Sequence, residues 1–128
     1  MTHSNELLIE QFYKAFSEKD SQAMTDSYHS EAAFDDPVFQ NLQGAEIGAM
    51  WTMLCLQSSS LEIAFENIQA DGDRGQVDWS AKYTFGKTKR KVFNKIHAEF
   101  IFKDGKILKH TDHFDFWKWS RMALGPLG

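Results

Sequence analysis

Two acidic residues and one histidine carry most of the chemistry this sequence offers. Asp112 stands in the run His110-Thr111-Asp112-His113-Phe114-Asp115, and Asp36 stands in Phe34-Asp35-Asp36-Pro37. If the first run is a strand, Leu108, His110, Asp112, Phe114 and Phe116 share one face, because successive side chains alternate. That face is otherwise apolar. An ionised carboxylate there is costly unless it is partnered, so Asp112 should either keep its proton or hold a hydrogen-bonding partner. His110 lies two residues away, roughly 6.5–7 Å along the strand, and can share a proton with it directly or through a water. Asp36 is expected to face the same cavity from the first strand. Together they read as an acid–base set in which one carboxylate removes a proton and the other, or His110, returns one. The competing reading has the carboxylates capping loops or pairing with Lys and Arg, and His110 as a hydrogen-bonded structural residue.

The elements that must hold these groups come in two regimes. Leu8, Ile9, Phe12, Tyr13 and Phe16 recur at helical spacing, with Ser4 as the expected N-cap. Asp20 caps a second, short helix carrying Ala23, Met24 and Tyr28. A short strand spans Ala32 to Asp36 and stops at Pro37. A third helix begins after Gly44, with Ile47, Met50, Trp51, Leu54 and Cys55 on one stripe, and Ser58-Ser59-Ser60 ends it. From Leu61 the period becomes two. Val77, Trp79, Ala81, Tyr83 and Phe85 alternate with polar residues, as do Asn94, Ile96, Ala98, Phe100 and Phe102. Asp71-Gly72-Asp73 and Lys103-Asp104-Gly105-Lys106 are turn signals. The last strand is expected over Ile107 to Phe116, with a helical turn in the tail after it. Helices followed by hairpin-linked strands mean an α+β fold, a cone-shaped curved antiparallel sheet with the N-terminal helices packed on its concave face. The mouth of such a cone suits an apolar ligand.

Composition narrows the function classes. The 128 residues are one domain's worth, and 42% are apolar. A net charge of −4 leaves no positive field for nucleic acid or an acidic membrane. One cysteine, Cys55, excludes an internal disulfide and a thiolate zinc site. The start Met1-Thr2-His3-Ser4-Asn5-Glu6 lacks the basic and apolar regions of a signal peptide, and no apolar run approaches the ~20 residues of a membrane span. A cytoplasmic location is expected. Alternation sets His113 on the opposite face from His110 and Asp112, so no metal is expected, and no cofactor.

The order of elements and several strings resemble the nuclear transport factor 2-like superfamily, in particular its SnoaL-like branch. The resemblance rests on Phe12-Tyr13-Lys14-Ala15-Phe16-Ser17-Glu18-Lys19-Asp20, Tyr28-His29, Phe34-Asp35-Asp36-Pro37, Gly44, Asp104-Gly105-Lys106-Ile107 and the run from His110 to Asp115. It implies that Asp36 matches the general-base aspartate of ketosteroid isomerases, whose oxyanion-hole tyrosine and aspartate positions fall on Phe12 and Ala98 here. Neither can donate to an enolate, so that mechanism is incomplete. Asp112 matches the last-strand aspartate of limonene epoxide hydrolases, whose middle-strand arginine and aspartate correspond to Trp79 and Ala81, so that triad is broken too. SnoaL-type polyketide cyclases use a pocket carboxylate as general base, which Asp112 retains.

The expectation is therefore a protein that binds a small apolar molecule, with Asp36, Asp112 and His110 for acid–base chemistry of the isomerase, cyclase or hydrolase type. Phe12, Trp51, Trp79, Tyr83, Asn94, Ala98 and Phe114 would line the pocket. For Trp51, Trp79 and Tyr83 the alternative is plain core, and for Asn94 a bond to backbone. The alternative for the whole chain is a non-catalytic ligand-binding or dimerisation module. The resemblance also implies a homodimer through the outer sheet face, which carries Lys82, Thr84, His97, Glu99, Ile101 and Lys109.

Overall fold

In the computed structural model, which describes residues 4–125, the helical stripe of the first third forms α1 (Ser4–Ser17), α2 (Ser21–Asp26) and α3 (Ala45–Gln57). The Asp20 side chain caps α2 by accepting from the Ala23 amide at 3.1 Å. The alternating segments form β3 (Ser58–Asp71), β4 (Arg74–Phe85), β5 (Lys91–Lys103) and β6 (Lys106–His113). Two strands precede them, β1 (Tyr28–Asp35) and the two-residue β2 (Leu42–Gln43), and α4 (Phe116–Leu124) follows.

The six strands make one curved, unclosed sheet in the order β2-β1-β6-β5-β4-β3. All neighbours are antiparallel except β1 and β6, which run parallel. Lys103 pairs with Lys106 across a two-residue turn, and Asp104 (φ 54°) and Gly105 (φ 74°) both take the left-handed conformation that a type I′ hairpin requires. The long strand β3 slips register against β4 between Ser59 and Glu62 and again between Glu66 and Gln69. Ser60 (φ 55°) and Asn67 (φ 59°) sit within those slips. Bulges of this kind bend a strand and raise its twist, which curves the sheet over the helices.

Ile9, Phe12, Tyr13 and Phe16 of α1 and Ile47, Met50, Trp51 and Cys55 of α3 are buried against Val77, Trp79, Ala81, Ile96, Ala98 and Phe100 of the sheet. Cys55 is thus a small core residue. On the opposite sheet face Lys82, Lys95 and Glu99 are exposed.

Several boundaries differ from the sequence reading, each for a packing reason. Tyr28 opens β1 instead of closing the second helix, because α2 ends at Asp26 and Tyr28 pairs with Ile107 of β6. The three serines begin β3 rather than forming a loop, since Ser58 and Ser59 pair with Phe85 and Thr84. Ser4 is the first residue of α1. The last strand stops at His113, because Asp115 turns the chain into α4 by accepting from the Lys118 amide at 3.0 Å. Alternation in β6 holds for His110 and Asp112, but a register shift opposite Ile101 and Phe102 buries Ile107 in place of Leu108.

Candidate functional site

A cavity of about 90 Å³ lies between the helices and the sheet, and both Asp36 and Asp112 line it. Asp112 reaches it from β6, where its backbone partner across the ladder is Ala98 of β5. Its Oδ1 accepts from His110 Nε2 at 2.9 Å and from Trp79 Nε1 at 3.3 Å. Asp36 reaches it from the turn that leaves β1. Pro37 cannot extend the ladder, so the chain folds back, and Asp36 Oδ1 accepts from the Val38 amide at 2.7 Å and the Phe39 amide at 2.6 Å. Burial pushes the Asp36 carboxyl above its ordinary value; the Phe39 and Val38 amides pull it back, the Asp112 charge raises it, and His110 lowers it. The two carboxylates therefore sense each other.

Behind Asp112 runs a chain of hydrogen bonds, partly buried at Tyr28 and fully buried at His110. Trp51 Nε1 donates to the Tyr28 hydroxyl at 2.9 Å, that hydroxyl lies 2.7 Å from His110 Nδ1, and His110 Nε2 meets Asp112. His110 is fully buried inside a shell of rings, with centroids of Phe100 at 4.4 Å and Phe34 at 4.9 Å and an edge-on Phe12 at 5.9 Å. Burial raises the Tyr28 phenol well above its usual value, opposed by the Trp51 bond and reinforced by Asp112. It raises Tyr13 likewise, with Asp112 and Tyr28 adding to the shift. The Tyr13 hydroxyl is buried with no hydrogen-bond partner among the described residues.

The structure separates the expected site residues, catalytic and lining alike, into two groups. Trp51, Trp79, Tyr83, Asn94 and Phe114 line the cavity with Asp36 and Asp112. Phe12, Ala98 and His110 do not. Phe12 is core, packed edge-on against Tyr13, Tyr28 and Trp51. Ala98 is fully buried in the ladder. His110 stands one residue back from the cavity and reaches it only through Asp112. The expected separation along β6 is closed by the side chains themselves, which meet directly.

Further residues outside the expected lining also form the wall. Val38 and Phe39 come from the turn after Asp36, Leu61 from β3, and Trp119 from α4. The aromatic density of Phe116-Trp117-Lys118-Trp119 was the available signal for Trp119. Tyr28 enters the sequence reading only as a position of the second helix and in the Tyr28-His29 string. Among the described residues no group of three or more His, Cys, Asp or Glu side chains is placed to hold a metal ion. No described helix is long and apolar enough to cross a membrane.

The family profile for the SnoaL-like domain matches residues 9–110, and the chain belongs to that family. Solved structures share the fold. An epoxide hydrolase of the limonene epoxide hydrolase-like type from Mycobacterium tuberculosis is 18% identical, with a TM-score of 0.79 over 97% of this chain and 92% of its own. A protein of ketosteroid isomerase-like fold from Catenulispora acidiphila, solved with trimethylamine, is 8% identical, with a TM-score of 0.82 over 93% of each chain. A candidate polyketide cyclase from Pseudomonas putida is 16% identical, with a TM-score of 0.75 over 91% of this chain and 95% of its own. No curated protein matches this chain.

Proposed function

We propose that the protein binds a small apolar molecule in the cavity and moves a proton on it with Asp112 and Asp36, in an isomerase, cyclase or hydrolase type of reaction. The observation that carries this reading is that both carboxylates, 76 positions apart in sequence, line one cavity whose remaining wall is largely apolar, half of it aromatic. Asp112 Oδ1 is held by His110 and Trp79, and no described donor holds Oδ2, so Oδ2 is the oxygen free to act as base. Asp36, with its carboxyl pushed up by burial and by Asp112, is the group suited to hand a proton back. Asn94, on the same wall, offers an amide to a ligand carbonyl. The SnoaL-like family and its cyclase and epoxide hydrolase neighbours support small-molecule chemistry of this class.

The test is hydrogen–deuterium exchange at the carbon next to the carbonyl in a panel of small apolar ketones and esters, followed by NMR in heavy water. Wild type should accelerate exchange on at least one ligand, and Asp112→Asn should lower that rate by about 10²-fold or more. Equal rates for the two proteins defeat the proposal.

A second reading, a non-catalytic ligand-binding or dimerisation module, draws on the size of the cavity. At about 90 Å³ it is far below the roughly 300 Å³ at which drug-sized sites begin. Native mass spectra free of any bound small molecule would favour it.

The chain is read as a single domain over 1–128, cytoplasmic in location, with a homodimer through the outer sheet face. Phe93, 45% exposed on that face, and the partly exposed Ile101 support an apolar contact, bordered by the His97–Asp78 and His113–Glu99 pairs at 2.7 Å each. Sedimentation at micromolar concentration should give the dimer mass.

A further inference from the structure

The hydrogen-bond chain behind Asp112 has one direction that satisfies all of its members at once, and the donor inventory identifies it. Indole Nε1–H can only donate, so the Tyr28 oxygen is the acceptor of the 2.9 Å bond from Trp51. The one proton of the Tyr28 hydroxyl is then available to His110 Nδ1 at 2.7 Å, which makes Nδ1 an acceptor. The ring proton must sit on Nε2, where it meets Asp112 Oδ1 at 2.9 Å. Every member is satisfied in this arrangement. In the reverse arrangement Nδ1–H and Trp51 both donate to the Tyr28 oxygen, the Asp112 carboxylate faces an Nε2 that carries no proton, and the Tyr28 proton loses its described acceptor.

An imidazolium beside Asp112 would form an ion pair and neutralise the carboxylate that faces the cavity. Tyr28 opposes this by donating to Nδ1, so that a second ring proton there would displace the Tyr28 proton from its described acceptor. Trp51 reinforces it, because a hydroxyl that already accepts a hydrogen bond is a stronger donor and a weaker acceptor. We propose that Tyr28 and Trp51 are positioning residues that keep His110 neutral, with its proton on Nε2, so that Asp112 is oriented by a hydrogen bond without losing its charge. This rests on the reading of Asp112 as the base of the cavity. The groups facing His110 from the surrounding elements are few. Asp112 and Asp36 are the acids that act on it or through it, and Tyr28 and Tyr13 are the hydroxyls nearby. Phe12 of α1, Phe34 of β1 and Phe100 of β5 contribute uncharged rings.

The experiment is a pH series of ring nitrogen spectra on ligand-free protein labelled with ¹⁵N-histidine, the His110 signals being assigned by their loss in His110→Asn. Wild type should show a protonated Nε2 and a hydrogen-bonded, unprotonated Nδ1 through the neutral range. Tyr28→Phe should raise the ratio of charged to neutral His110 at a given acidic pH by about tenfold, the worth of one hydrogen bond to a buried group. Trp51→Phe should raise it by a smaller factor. A wild-type ring that is an imidazolium at neutral pH, or that carries its proton on Nδ1, overturns the proposal without need of any variant. So does an unchanged ratio in Tyr28→Phe. No ligand or turnover enters these spectra, so failure here is separate from failure of Asp112→Asn to slow exchange on the ketone panel.

Discussion

Trp119 Nε1 donates a hydrogen bond to the Tyr83 hydroxyl at 2.9 Å, tying α4 to β4 beside the cavity that both residues line. The far end of α4 is held as well: the Arg90 guanidinium donates to the carbonyls of Met122 and Arg121, and the Thr88 hydroxyl to that of Ala123. The middle of the helix is thus tied by the Trp119 indole, which also packs edge-on against Phe85 at 5.9 Å, while its last turn is gripped by the β4–β5 loop.

Trp119→Phe removes that bond and keeps most of the ring. Backbone amide exchange across residues 116–124 should quicken by about tenfold, as expected when a local opening loses one hydrogen bond. Ligands too large for the closed cavity should enter faster. Mass-spectrometric exchange on the α4 peptide is the measurement, and unchanged protection there would show that packing alone holds the helix.

Tyr13, fully buried, and Tyr28, partly buried, should answer the same deletion in opposite ways. Tyr13 has an orphaned hydroxyl, so Tyr13→Phe should be neutral or stabilising by up to about 1 kcal/mol. Tyr28 joins Trp51 to His110, so Tyr28→Phe strands a donor and an acceptor and should cost about 1–3 kcal/mol. Urea unfolding of the pair measures both. Equal effects would mean that neither hydroxyl matters through its bonds.

Asp36 gives stability a pH dependence of known sign. Its folded carboxyl sits above the ordinary 3.8, so the native state keeps a proton that the unfolded chain has already lost. Its contribution to stability is full below about pH 3.8 and is lost as pH rises through the raised value. Asp36→Asn retains an oxygen for the Val38 and Phe39 amides and cannot ionise. The variant should melt at or above the wild-type temperature at pH 7, and its stability should fall less steeply across the mildly acidic range. A lower melting temperature at pH 7 would show that the charged form is the one the fold favours.

Much of the architecture was legible because burial imposes periods. The stripe from Ile47 to Cys55 has one way to hide its apolar side, and so do the alternating runs around Trp79 and Ile96. Asp104-Gly105 marked its hairpin because few residues tolerate two successive left-handed positions. Boundaries at Tyr28, Ser58 and Phe114 were not legible. Each is set by a partner elsewhere in the chain: Ile107 for Tyr28, Phe85 for Ser58, and the Asp115 cap that ends β6 before Phe114.

For the candidate site, residue types and strand parity were enough to single out Asp36, Asp112 and their aromatic neighbours, since a carboxylate on an apolar face is conspicuous in any sequence. Parity says which face a side chain takes, yet not how deep it lies on that face. Depth follows from curvature and from what packs above, and this divided Trp79 and Tyr83, on the wall, from Phe12, Ala98 and His110, behind it. The orientation of the Trp51–Tyr28–His110–Asp112 chain likewise exists only once α3, β1 and β6 are assembled, because a hydrogen bond requires donor and acceptor within about 3 Å, and no local rule brings residues 28, 51 and 110 that close.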